Sequence, residues 1–173
     1  EPLRLQEEWL YELEGLAYPR REEESGGAQS LAAVQFFAQR ARQAYVGFSL
    51  EAELPSVARI CETLEGLPLG LELAASWVRN VPCAEIAASL AERAGELRSR
   101  HLNRAARTAS IAAVVAYSWE RLTPEQRDAL SGLAALRGTF SREAAEQVAH
   151  ASLRTLTSLV DKALLQRAAA GRW

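Results

Sequence analysis

The chain has 173 residues, of which 49% are apolar and 24% charged, with a formal net charge of −2. That is enough apolar residue for one core or for two cores of roughly 80 residues each, and the composition excludes a low-complexity or disordered chain. The longest apolar runs are short and broken by Arg or Glu, so no transmembrane span is readable, and no signal-peptide pattern opens the chain. The charge is uneven. Residues 1–100 carry 10 basic and 16 acidic residues, a net −6, whereas residues 101–173 carry 10 and 6, a net +4.

Residues 7–16 alternate Trp9, Tyr11 and Leu13 with Leu10, Glu12 and Glu14, which predicts one short strand, ended by Pro19 and the polar run Arg20 to Gly27. A single strand lacks a sheet, so it is an orphan here. A helix follows from about Gln29 to Tyr45, with Leu31, Val34, Phe37, Ala38 and Ala41 inward and Phe36 widening that face. The second helix, about Glu51 to Glu65, aligns Val57, Ile60, Cys61 and Leu64 on one side. Gly66 is placed to cap it in the left-handed conformation, and Pro68 to open the third helix at its first position, where a missing N–H costs nothing. The third helix is expected to reach Arg79, and a fourth, about Cys83 to Glu92, carries Ile86, Ala87, Leu90 and Ala91. Four short helices with short links make a bundle.

Residues 96–107 read as an arginine-rich connector. Beyond it Ile111, Val114, Val115, Ser118, Trp119 and Leu122 share one helical face, which makes Trp119 a core residue. Thr123-Pro124-Glu125-Gln126 is an explicit start signal, with Thr123 as N-cap and Gln126 reaching back to it. That helix carries Leu130 and Leu133. Ser141 with Glu143 starts another, and Leu153, Leu156, Leu159 and Val160 mark the last; Leu164 to Arg167, an Ala-Ala-Gly turn and Arg172-Trp173 suit a hairpin. Helices closed by a hairpin describe a winged helix. The fold class expected is thus mainly α: a four-helix bundle, then a winged-helix domain, with a short N-terminal orphan strand.

The string GLPLGLELAA, Gly66 to Ala75, resembles the GLPLA(I/L)ELAA segment of signal-transduction ATPases with numerous domains (STAND ATPases), the AfsR-like and MalT-like bacterial relatives of NB-ARC switches. Further blocks resemble that family in the same order: EEWLYELEGLAYP (Glu7 to Pro19), AVQFFAQRARQAYVGFSL (Ala33 to Leu50), Ala116-Tyr117-Ser118-Trp119 with Leu122, and LVDKALL (Leu159 to Leu165). The resemblance covers nearly the whole chain. It implies the end of a nucleotide-binding core and a linker over 1–27, a helical lid over 28–95, the connector over 96–107, and a winged-helix domain, incomplete at its C-terminus, over 108–173. It also implies that Gly66, Leu67 and Pro68 touch nucleotide, the proline ring packing on the base or sugar of ADP. ADP or ATP, with Mg in the parent protein, is the implied cofactor, and none is expected to bind tightly to this segment alone.

A P-loop needs a glycine loop ending in Lys-Ser or Lys-Thr, and the one lysine, Lys162, follows Leu159-Val160-Asp161. The chain is therefore read as a fragment that does not hydrolyse ATP by itself, although the parent is an ATPase. The function the resemblance implies is the lid and winged-helix portion of an ATP/ADP-dependent cytoplasmic signalling switch that regulates transcription or assembly. Its partners are an upstream P-loop domain in cis, a C-terminal repeat sensor, and other copies on activation, with no membrane. Two other classes compete: a DNA-binding winged-helix transcriptional regulator and a helical protein-interaction module. Against DNA readout, the last helix offers only Arg154 and Lys162 as bases, with Asp161 between them and phosphate.

No catalytic residue or metal site is expected. Cys61 and Cys83 lack zinc spacing and suit apolar positions in a reducing cytoplasm. His101 and His150 have no nucleophile beside them, Glu22-Glu23-Glu24 reads as a solvated loop, and Glu72 is placed to pair with Arg79 or Arg93 or to face the nucleotide.

Overall fold

A computed structural model describes residues 15–20, 27–100, 106–168 and 172–173. Within them the chain is mainly α, with eight α-helices after a 3-10 turn over Ala28–Ser30 and no strand. The expected strand lies, apart from Gly15 and Leu16, outside the described residues.

Helix α1 (Ala32–Ala44) buries Ala33, Val34, Phe37, Ala38 and Ala41, the stripe its spacing predicts. α2 (Leu50–Thr63) starts at Ser49, whose hydroxyl accepts the Ala52 N–H, and turns Val57, Ile60 and Cys61 inward. α3 (Pro68–Ser76) is apolar nearly all round and is buried at Gly70, Leu71, Leu73, Ala74 and Ala75, as a helix surrounded by others must be. α4 spans Cys83–Arg100, well past the expected end at Glu92, and so takes in the first half of the predicted connector. α2 packs on α4, and α1 packs on α3.

Helix α5 (Ala106–Glu120), grouped by sequence with the second unit, packs on α3 and α4 and gives Val114 and Tyr117 to the first core. Its orientation differs from expectation. Val114, Ser118 and Leu122 are buried, but Ile111, Val115 and Trp119 are 37%, 50% and 40% exposed. The helix is rotated so that Ser110, Ala113, Val114 and Tyr117 face inward; the Ser110 hydroxyl donates to the Thr63 carbonyl at 2.8 Å, and the Tyr117 ring lies 4.4 Å from that of Trp77. Trp119 is consequently a surface residue. The Arg93 guanidinium forks onto Glu120 at 2.7 and 2.6 Å, tying α4 to the end of α5.

A second core joins α6 (Pro124–Leu133), α7 (Arg142–Ala149) and α8 (Leu153–Asp161) around Leu133, Phe140, Leu156 and Leu159. Each of these helices has a hydroxyl cap, at Thr123 and Ser141 as expected and at Ser152, and Thr123 with Gln126 closes a full capping box. Gly132 lets α6 and α7 approach closely: a Cβ there would lie 2.8 Å from Ala149 Cα. After α8, Leu164 packs against both cores. Phe140 and Trp173 exchange two backbone hydrogen bonds, of 2.8 and 3.1 Å, and Ala168 donates to the Arg172 carbonyl at 2.8 Å.

Candidate functional site

The corner between α2 and α3 is built by backbone chemistry. The Glu65 N–H donates to the Glu62 carbonyl and the Gly66 N–H to the Cys61 carbonyl, both at 3.1 Å, which is the hydrogen-bond pair of a Schellman stop. The first left-handed position is occupied by Glu65 (φ 51), not by glycine, and Gly66 follows it at φ 65. Glycine is required at 66 for another reason. A Cβ on Gly66 would lie 2.0 Å from the Leu16 carbonyl oxygen, because Gly15 and Leu16 cross directly over this turn. Leu16 N–H donates to the Gly66 carbonyl at 2.8 Å, and Ala33 N–H to the Ala17 carbonyl at 3.0 Å, so residues 15–17 are pinned to both the corner and the start of α1.

Leu67, half-buried and extended (φ −69, ψ 116), occupies the N-cap of α3 without a side-chain cap. Pro68 is exposed at the head of α3, and Leu69 beside it is 57% exposed. The first amide bonded inside the helix is that of Leu71, to the Leu67 carbonyl, which leaves the Leu69 and Gly70 amides as donors at the helix head. The corner therefore presents an exposed proline ring at the head of α3, on a turn tied to Leu16 by a backbone hydrogen bond.

Burial pushes the Cys61 thiol up to about 12 and the Cys83 thiol likewise to about 12, the latter helped by the Glu53 carboxylate. No group of three His, Cys, Asp or Glu side chains suited to a metal occurs among the described residues. Glu72 lies 3.7 Å from Arg40 rather than beside Arg79 or Arg93. His150 adopts φ 49 as the left-handed C-cap of α7. His101 and the Glu22–Glu24 run lie outside the described residues.

The α7–α8 junction is short. His150, Ala151 and Ser152 alone separate the two helices, and the Ala151 N–H closes on the Ala145 carbonyl at 3.2 Å. On α8, Thr155, Leu156 and Leu159 are buried, while Leu153, Arg154, Thr157 and Asp161 face solvent. Lys162 is withdrawn from that face: its Nζ donates to the Arg121 carbonyl at 2.9 Å and to Gln126 Oε1 at 2.7 Å.

No family model matches the chain, and no solved structure does. Curated relatives do. An uncharacterized protein of Mycobacterium tuberculosis is 30% identical over 142 residues, which cover 77% of this chain and 36% of that protein, and a counterpart in Mycobacterium bovis matches equally. A larger Mycobacterium tuberculosis protein, named "Putative HTH-type transcriptional regulator", is 33% identical over 141 residues, covering 77% of this chain and 16% of its own length. The matched part is thus about a third of one relative and about a sixth of the other. No helix among the described residues is long and apolar enough to cross a membrane. The chain is weakly similar to a segment of a protein named as a helix–turn–helix transcriptional regulator.

Proposed function

We propose that this chain is a helical segment of a transcriptional regulator, in which α6, α7 and α8 with the Phe140–Trp173 pairing form a winged helix. The observation that carries this reading is the α7–α8 junction, two helices joined by three residues with a left-handed first residue, the connection used in helix–turn–helix units. The name of the larger relative supports it. In such a unit α8 faces the duplex, and its solvent side offers one guanidinium, Arg154, able to read guanine, with Thr157 beside it. Binding would then rest mainly on phosphate contacts and depend steeply on salt. Fluorescence anisotropy with a mixed-sequence duplex between about 50 and 200 mM salt tests this. Expected is weak binding that fades across that range and is weakened by Arg154→Gln; no binding at the lower salt removes DNA contact from this segment.

A second reading rests on the corner at Gly66. There the chain is the lid and winged-helix part of a nucleotide-dependent switch within the regulator, and Pro68, its pose set by Gly66 and Leu67, packs on the base or sugar of ADP. What favours it is the exposed Pro68 ring beside the uncapped amides of α3, on a turn pinned by Leu16. The test uses the protein extended by its native upstream sequence, denatured, with any released nucleotide identified by chromatography. Stoichiometric ADP is expected, with Pro68→Ala weakening it by about 1–2 kcal/mol through lost packing. A folded, nucleotide-free protein rejects this reading and leaves the first one standing.

A further inference from the structure

The end of α3 opposite Pro68 opens on a cleft between the two helical units. Pro68 is not on its walls: the nearest α3 residue that lines the cleft is Glu72, four positions or roughly 6 Å along the helix from the corner. The cleft encloses about 730 Å³, within the range of small-molecule sites. Its charged lining is Arg40, Glu72 and Arg79 from the first unit, Arg121 from the residues just after α5, and Asp161 with Lys162 from the end of α8.

Four cations there meet two carboxylates, which leaves a net charge of +2 in the lining. Glu72 is already beside Arg40. Arg79 is exposed and has no partner among the described residues. Arg121 donates to the Tyr117 hydroxyl at 3.0 Å and stacks 5.2 Å from that ring. Lys162 donates to the Arg121 carbonyl and the Gln126 amide oxygen. Among the described residues neither of these last two cations touches a carboxylate. The Lys162 ammonium is accordingly held below its usual range, by burial first and by the Arg121 charge second. At the same walls the hydroxyl of Ser118, a residue only 5% exposed, lacks a hydrogen-bond partner among the described residues, and Arg40 Nε, 3.7 Å from Glu72, makes no hydrogen bond among them. Folded proteins leave few such groups, and each calls for an explanation.

We propose that this cleft binds a compact polyanion of the phosphate class, a phosphate monoester or a diphosphate, between Arg79 of the first unit and Arg121 and Lys162 of the second. The ligand answers the unpaired charge, and because its cations come from both units it ties the end of α8 to the end of α3. Among the described residues the direct polar contact between those two helix ends is a weak one, from the Ser76 hydroxyl to the Lys162 carbonyl at 3.5 Å. The cations proposed to hold the ligand lie outside the corner at Gly66 and are distinct from Arg154 and Thr157 on the solvent face of α8, so the site is tested apart from either functional reading.

The test is calorimetric titration of the chain with inorganic pyrophosphate at matched ionic strength, repeated with adenosine monophosphate. Saturable binding at one equivalent is expected, weakened at least about tenfold, or 1.4 kcal/mol, by Arg121→Gln with Lys162→Gln and also by Arg79→Gln. Arg79→Gln removes no contact among the described residues, so its loss reports on the ligand even if the double variant fails to fold. Arg142→Gln, at the start of α7 and away from the cleft, is expected to change nothing. Tighter binding of the monophosphate identifies a nucleotide, and tighter binding of pyrophosphate a free phosphate. The proposal is overturned by no saturation, by an equal loss in Arg142→Gln, or by full displacement of pyrophosphate by duplex DNA.

Discussion

Replacing Gly66 with alanine separates two physical effects at one position. The left-handed backbone (φ 65) costs an alanine about 1 kcal/mol. The added Cβ, placed 2.0 Å from the Leu16 carbonyl oxygen, cannot coexist with the crossing segment. Leu16 has to retreat, which gives up its 2.8 Å hydrogen bond to the Gly66 carbonyl, a net loss of about 1 kcal/mol. Leu16 is half-buried against the first core, and partial release of that side chain adds about 1 kcal/mol. The expected total is about 3 kcal/mol, the sum of these three terms. Gly138 supplies the control. Its φ is 74, but a Cβ there meets nothing within 4 Å, so Gly138→Ala should cost only the backbone share, about 1 kcal/mol. Urea denaturation followed by far-ultraviolet circular dichroism measures both. If Gly66→Ala is no more destabilising than Gly138→Ala, residues 15–16 do not pack on the corner and the account of Gly66 fails.

Three further outcomes follow from burial and pairing. Phe37, fully buried, should lose about 3–5 kcal/mol on truncation to alanine, whereas Trp119, 40% exposed, should lose less than about 1 kcal/mol; equal losses would return the Trp119 ring to the core. With their thiols pushed up to about 12, Cys61 and Cys83 should resist an aromatic disulfide reagent near neutral pH until the chain unfolds, and rapid reaction of the native protein would contradict their burial. The Arg93 fork holds the Glu120 carboxyl below the usual glutamate range. Since the folded value is the lower one, the pairing contributes above the ordinary glutamate range and is lost as pH falls through the depressed value. Carbon-detected NMR titration should show this, and an Arg93→Gln chain should return Glu120 to its ordinary value; a Glu120 that titrates normally in the unaltered chain rules the fork out.

Local chemistry was legible and tertiary choice was not. Thr123, Pro124 and Gln126 announce a helix start that needs no distant partner, and the capping box forms as read. The stop before α3 was equally plain, because Cys61, Glu62, Glu65 and Gly66 close it among themselves. Which residue takes the first left-handed position was not, since Glu65 accepts the strain and Gly66 is reserved for an approach by Leu16, fifty positions earlier in the chain. α5 failed for a related reason. Ile111, Val114, Val115, Tyr117 and Trp119 surround that helix, so periodicity fits more than one face, and the choice is made by Trp77 on one side and the Thr63 carbonyl on another. α4 outran its expected end at Glu92, and just past that point Arg93 meets a partner, Glu120, that only the packed α4–α5 pair supplies.

Charge counting met the same limit. A net +4 over residues 101–173 suggests a basic face, yet the cations of that half do different things in space. Arg127 is spent on the carbonyls of Trp119 and Glu120, and Arg172 on Thr139. Arg121 and Lys162 converge instead on a cleft whose other walls are Arg40 and Arg79, residues that sequence assigns to the acidic half. A sum along the chain treats all of these alike; what gives the cleft its character is that two cations of the second half meet two of the first with only Glu72 and Asp161 as carboxylates in the lining, a property of how the two units pack.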